Sequence, residues 1–398
     1  MPARIVVLGG SFAGMTAALS LRSQLGAEAE VTVVAAHDVF VFNPSLIWLP
    51  FGKRSRDQIT FPLAPTFAKH GVRFVHAAAT YIDPQAHRVE TTEGDLEYDY
   101  LVIATGYRND LDAVPGLHEA PTITNLPAAE RTAAAWREFL ADPGDVVIGA
   151  TQRASCFGAA YEFLFNTSYQ LRKAGLHGKV KLTYVTAEPY AGHFGIDGMP
   201  GAKGLMGMFA RKEGIEVVTG ASMDEIRPDA VVLAGGRELP YRFAMLVPPF
   251  RGQDFLAKTP DLVDAGNYVP VHPTYQSKGY DDIYAVGIAA AVPVPWTTPV
   301  PVGIPKTGFP SEQQAHVAAH NIAAQVRGHA PDRRKTFDRI PALCIMDAGN
   351  NGVAMVADHM LPPRKAAVMI PGPQNHAAKV AFEKYSLAKM RAGAVRLP

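Results

Sequence analysis

Cys156 and Cys344 are the only two thiols in a chain of 398 residues. So few cysteines make no disulfide scaffold, and their number and separation match no zinc spacing pattern, which leaves redox or nucleophilic chemistry as their possible roles. Cys156 stands at the start of a helix expected from about Phe157 to Lys173. There the N-terminal dipole stabilises a thiolate and lowers its pKa, and a small buried apolar cysteine is the alternative. A second chemical signal is Gly9-Gly10-Ser11-Phe12-Ala13-Gly14, between a strand and a helix. Backbone amides and the helix dipole at such a turn hold a pyrophosphate, unless it is an ordinary glycine turn. Ser11 replaces the usual middle glycine, and the acid that normally binds the ribose is missing because the second strand ends Val34-Ala35-Ala36. A comparable turn, Gly149-Ala150-Thr151-Gln152-Arg153-Ala154, lacks the glycines that would admit a second dinucleotide, so NADH is not expected there.

These residues need a frame of alternating strands and helices. Arg4 to Leu8, Met15 to Leu25 and Val31 to Ala35 read as a βαβ unit, and Val146 to Gly149, Phe157 to Lys173 and Val180 to Val185 repeat the plan. Val72 to Val75 and Val89 to Tyr98 read as a small antiparallel excursion, after which a buried strand closes on Ala104-Thr105-Gly106. Ile283 to Val286 returns the chain to the first unit. The Pro- and Val-rich segment Val292 to Pro305 is extended and precedes a helix from Ser311 to Val326, and a final helix runs roughly from His376 to Arg391. The expected fold is α/β, with two Rossmann-like domains and a smaller C-terminal region. Residues 1–110 and 265–330 are expected to form a dinucleotide-binding domain, 111–264 a second domain that does not bind NAD, and 331–398 the C-terminal region.

Charge and hydropathy exclude several classes. Lys plus Arg number 38 and Asp plus Glu 37, which leaves no general attraction to nucleic acid. No apolar run approaches the roughly 20 residues of a membrane-spanning helix, and Met1 to Leu8 enters a strand without a basic leader, so no cleavable signal peptide is expected.

Together with Leu101 to Gly106 and Tyr284-Ala285-Val286-Gly287, these motifs resemble the two-dinucleotide-fold flavoproteins of the disulfide-reductase type. Ala154-Ser155-Cys156-Phe157-Gly158 with Tyr161-Glu162-Phe163 is similar to the first cysteine segment of the sulfide:quinone oxidoreductase family. Thr298 to Gly303 leading to Pro305-Lys306-Thr307-Gly308, and Leu343-Cys344-Ile345 with Gly349 and Gly352, are similar to its later motifs. The resemblance implies that FAD is bound through Gly9, Ser11, Phe12, Ala13, Gly14, Ala104, Thr105, Gly106 and Gly287. It also implies that Cys156 and Cys344 form a disulfide or sulfur-bridged pair beside it, with Cys344 nearer the ring and Cys156 carrying the sulfur chain. Lys306 would supply positive charge to reduced flavin, Glu162 would accept a proton, and His193 would manage the proton of H₂S; a solvated loop lysine, a surface glutamate and a structural histidine are the alternatives. Relatives often carry a third cysteine and a histidine where this chain reads Ile123-Thr124-Asn125-Leu126-Pro127-Ala128, and neither is present. No cysteine lies near Phe42-Asn43-Pro44, so FAD is expected to be non-covalent.

The electron acceptor implied is a quinone held between Leu343 and Phe382 on the other flavin face. Lys379, Lys384, Lys389 and Arg391 alternate with Val380, Phe382, Tyr385, Leu387 and Met390. That pattern suits either a peripheral helix on an anionic membrane or an ordinary packing helix. Trp48 and Trp296 are further interfacial candidates. A homo-oligomer is compatible with the sequence. Three other readings stand: a type II NADH dehydrogenase, a flavocytochrome c-type sulfide dehydrogenase subunit, and a flavin-binding sensor or assembly protein without turnover.

Overall fold

Runs of β-branched residues that are apolar on both faces make buried parallel strands, and the helices between them cover the sheet. A computed structural model, describing residues 1–397, has two such sheets. In the first, parallel strands lie in the order Ile283–Ala285, Tyr100–Ile103, Ala3–Leu8, Ala29–Ala35, Arg73–His76. Val72 to Val75 therefore belongs largely to the edge strand of this parallel sheet and not to the antiparallel excursion. The excursion is formed by Ala79–Asp83, Arg88–Thr91 and Leu96–Glu97. Helices Phe12–Leu25 and Gly308–Val326 pack together on the first sheet through small residues, among them Ala17, Ala18, Ala315, Ala318 and Ala319.

The second sheet is also parallel, in the order Glu216–Val218, Leu182–Thr186, Val146–Ala150, Phe243–Val247. Helix Phe157–Lys173 follows its central strand. Toward the C-terminus an antiparallel sheet of Ala342–Asp347, Gly352–Ala357 and Ala367–Pro371 carries helix Gln374–Ala392. Side chains alternate across a strand, so Cys344 and Leu343 must face opposite ways. Cys344 packs on the large core that also holds Phe157, Tyr161 and Met346. Leu343 is 47% exposed.

The final helix departs from a uniformly solvated basic face. Lys379 and Lys389 are buried and ion-paired, to Glu162 at 2.9 Å and Glu312 at 2.6 Å, while Lys384, Tyr385 and Arg391 remain exposed. Leu387 and Met390 anchor the helix in the core of the first domain. Packing thus decides this part of the helix. No helix among the described residues is long and apolar enough to cross a membrane.

Candidate active site

Cys156 is the residue immediately before helix Phe157–Lys173, and Cys344 lies in strand Ala342–Asp347, which packs beside that helix. Both thiols are half-buried, pack on one hydrophobic cluster and are close enough to feel each other's charge. Their ionisation is set by burial. Burial pushes the Cys344 thiol up to about 12, against the partly offsetting charge of Lys379. It also raises Cys156, although the Ala159 amide donates to its sulfur at the helix start. The activated thiolate expected from the helix dipole at Cys156 is therefore corrected: desolvation outweighs the dipole.

Beneath the cysteines lies a polar network buried in the core. The Glu162 carboxylate accepts from the Asp347 amide at 2.8 Å and from Lys379 Nζ at 3.1 Å, and Lys379 also donates to Ile345 O at 3.2 Å. Burial raises the Glu162 carboxyl to about 7 against the opposing pull of Lys379. Glu162 is 5% exposed, which removes the surface-glutamate alternative. Asp347 accepts from Trp48 Nε1 and His376 Nδ1, both at 2.7 Å, and Lys53 Nζ lies 3.6 Å away. Burial alone would raise its carboxyl, but these donors and the Lys53 charge hold it below its ordinary value. Trp48 is 1% exposed, so it is an internal donor and not an interfacial residue. Sequence reasoning missed Asp347, Lys53, His376 and Trp48 as members of one site, because their meeting depends on tertiary contacts alone.

The sulfur side of the site is closed by two loops. His193 is buried, and its Nδ1 accepts from the Gly195 amide at 3.2 Å, so its proton sits on Nε2, 3.8 Å from Asp197. Burial lowers its pKa. Trp296 stands edge-on to it at 5.3 Å and packs against the cluster that touches Cys156. The segment 300–306 lies on the cysteine loop: Arg153 N donates to Pro301 O, Gly303 N to Ala154 O and Lys306 N to Ser155 O. A Cβ on Gly303 would lie 2.4 Å from Ala154 O, which shows how closely the two backbones approach. The chain's own 300–306 segment thus occupies the surroundings of the second turn. Glu188, shortly beyond the second strand of that domain, is equally committed. It accepts from Tyr161, Tyr184, Thr186 and the Phe194 amide.

The first turn is built to receive a dinucleotide. Gly9 has φ +112°, and a Cβ there would sit 2.3 Å from Ala104 O; a Cβ on Gly14 would sit 1.9 Å from Gly9 O. Only glycines let strand and helix approach this closely, and the amides at the helix start around Phe12, Ala13 and Gly14 have no partners within the helix. Ser11 precedes the helix without capping it through its side chain. Gly287, at φ +68°, donates to Gln314 and brings the start of helix Gly308–Val326 against Ala13 and Phe12. Next to Ala104 and Gly106, the buried Thr105 hydroxyl has no partner. Two convergent helix N-termini, a glycine cradle and an orphaned donor fit FAD. Lys306 Nζ lies over the Tyr268 ring at 3.1 Å with no carboxylate in ion-pair reach among the described residues, and burial lowers its pKa to about 7.

Phe382, on the final helix, is half-buried, packs against the core of the first domain and stands edge-on to Phe42 at 5.9 Å. The outward sheet face aligns Leu343 with Val356 and Val368, and Ile345 with Ala354 and Ile370. Leu343, Val356, Val368 and Ile370 are all exposed.

Comparison with known proteins gives a consistent result. The family described as pyridine nucleotide-disulphide oxidoreductase matches residues 3–320. The chain is 38% identical over 400 residues to the sulfide-quinone reductase of Aquifex aeolicus (strain VF5), covering 99% of this chain and 92% of that one. The crystal structure of the sulfide:quinone oxidoreductase from Aquifex aeolicus superposes with a TM-score of 0.94 at 37% identity, over 98% of this chain and 92% of that one. A type II NADH:quinone oxidoreductase of Staphylococcus saprophyticus is more distant, at 25% identity over 92% of each chain.

Proposed function

This chain belongs to the sulfide:quinone oxidoreductase family within the FAD-dependent pyridine nucleotide-disulphide oxidoreductases, and from that membership we propose that it oxidises sulfide at Cys156 and Cys344 and reduces a membrane quinone. The observation that carries the assignment of sites is the convergence of both thiols on the buried Glu162–Lys379 pair. Sulfide near neutral pH is mostly HS⁻. Its attack on a Cys156–Cys344 sulfur bridge breaks one S–S bond and forms another, leaving a persulfide on Cys156 and a thiolate on Cys344. The buried Cys344 thiolate is strongly basic and therefore a strong nucleophile, and the Lys379 charge is what opposes its desolvation. Glu162 takes up the proton released on the sulfur side, and His193, neutral at working pH, offers its Nε2 proton to the arriving anion. When bound, FAD accepts an electron pair from the thiol side and gives it to the quinone. The amides at Gly9 to Gly14 and around Gly287 would hold its phosphates, and Lys306 with the start of helix Gly308–Val326 would supply positive charge beside it. Leu343 and Phe382 sandwich the quinone ring.

The exposed apolar sheet face around Leu343, Val356, Val368 and Ile370 supports a peripheral membrane location, and the final helix adds the exposed cations Lys384 and Arg391. The membrane contact proposed is that of the final helix together with the sheet.

Anaerobic titration followed at the flavin absorbance tests the reading: sulfide should bleach the flavin and NADH should not, since segment 300–306 crowds the second turn. Fast bleaching by NADH with no response to sulfide would overturn it. Flavin should also leave the protein on acid precipitation, because Phe42, Asn43 and Pro44 offer no thiol. Flavin retained in the pellet would contradict this.

A further inference from the structure

In the proposed reaction HS⁻ loses two electrons and releases one proton on the sulfur side, while the quinone takes up two electrons and two protons. The proton that Glu162 takes up must leave it again each turnover, and Glu162 and Lys379 are each almost fully buried, so neither gives it to water directly. Asp347 links them to the surface. Its peptide N–H holds the Glu162 carboxylate at 2.8 Å, its carboxylate is fully buried, and one carboxylate oxygen binds His376 Nδ1, whose side chain is 37% exposed. A cleft of about 440 Å³ lined by Asp347, Asn350, Asn351 and Arg172 reaches the same residue.

We propose that the Asp347–His376 couple governs when Glu162 releases its proton, and so links the proton on the sulfur side to external pH. This rests on the sulfide:quinone reading for its purpose but not for its test. Asp347 and His376 touch neither sulfide nor quinone in this assignment; they are positioning residues acting through Glu162. The groups facing Glu162 are Lys379 from the final helix, Asp347 and Cys344 from strand Ala342–Asp347, Cys156 from its own helix start, and Lys53 from the segment after Trp48. Among them the Asp347 carboxylate is the negative charge with a partner at the surface. The Asp347 charge bears on Glu162 and makes its proton harder to remove, and His376, donating to Asp347 at 2.7 Å, offsets part of that charge.

The couple makes opposite predictions for its two members. The midpoint is read in the FAD-loaded protein from the infrared band of the protonated Glu162 carboxyl, identified by its loss in Glu162→Gln, between about pH 5 and about pH 9. Asp347→Asn keeps an acceptor for Trp48 but removes the charge, and the midpoint should fall by about one unit. His376→Asn keeps a neutral donor to Asp347 but removes the compensating charge, and the midpoint should rise. The acid limb of sulfide-driven flavin bleaching should move with it in each variant. An unchanged midpoint in either variant, or a fall in His376→Asn, overturns the proposal; His376 lies at the surface, so that variant decides the matter even where Asp347→Asn does not fold. Expected infrared shifts in a protein that sulfide never bleaches would uphold the coupling and reject the sulfide reading.

Discussion

Replacing Cys344 by Ser should lower the rate of flavin reduction by sulfide by about three orders of magnitude or more. The bridge to Cys156 can no longer form, so HS⁻ has no sulfur–sulfur bond to attack, and a serine hydroxyl is far too weakly acidic to leave as an anion. The loss cannot be ascribed to the surroundings. Glu162, Lys379 and Asp347 hold one another through the Asp347 amide and the Ile345 carbonyl, contacts that do not use the thiol. The side of the strand that carries Leu343 is likewise untouched. A flavin reduced chemically with dithionite should accordingly pass its electrons to a quinone at nearly the wild-type rate. Stopped-flow measurement of both half-reactions on FAD-loaded protein checks this. Normal bleaching by sulfide would reject the assignment of Cys344, and equal slowing of both halves would show that the substitution had disturbed more than the sulfur side.

The second large effect is expected from Lys379→Met, and it depends on pH. Methionine fills much of the volume, but Glu162 is left in the core with no facing cation in contact, a loss that costs about 3–5 kcal/mol when the carboxylate must stay charged. The direction follows from proton binding. The Glu162 carboxyl is already raised from its ordinary value of 4.5 to about 7 by burial, and removal of Lys379 raises it further. Between these values the folded state binds more protons than the unfolded state, so this group's contribution to stability is present below 4.5 and is lost as pH rises through the folded pKa. The deficit of the variant against wild type should be small in mild acid, where the folded carboxyl is protonated, and large in mild base. Urea unfolding of the FAD-loaded proteins at both conditions measures it, and a double variant with Glu162→Gln should recover most of the loss. A deficit that is the same at both pH values would mean that Lys379 contributes by packing and not by compensating Glu162.

What was legible in the amino-acid sequence is what depends on neighbours along the chain. The turn from Gly9 to Gly14 could be read because a strand, a tight glycine turn and a helix start are local demands on the backbone, and the close approaches at Gly9 and Gly14 meet those demands. The second turn, from Gly149 to Ala154, could be read as degenerate for the same reason. The family, too, was legible, since the segments around Cys156 and Cys344 are short and specific.

What only the tertiary structure decided is charge and exposure. Lys379 reads as one of four cations on a basic helix; it becomes the counter-ion of Glu162 because the final helix lies across strand Ala342–Asp347, bringing together residues 217 positions apart. Trp48 reads as interfacial, yet it donates to Asp347 within the core. The thiol of Cys156 reads as activated by its helix, yet burial raises its pKa. In each case periodicity and residue type predict a side chain's direction from its own element. Whether that direction meets water, a hydrocarbon or an opposite charge is settled by another part of the chain, and the cost of removing a charge from water is larger than any local preference.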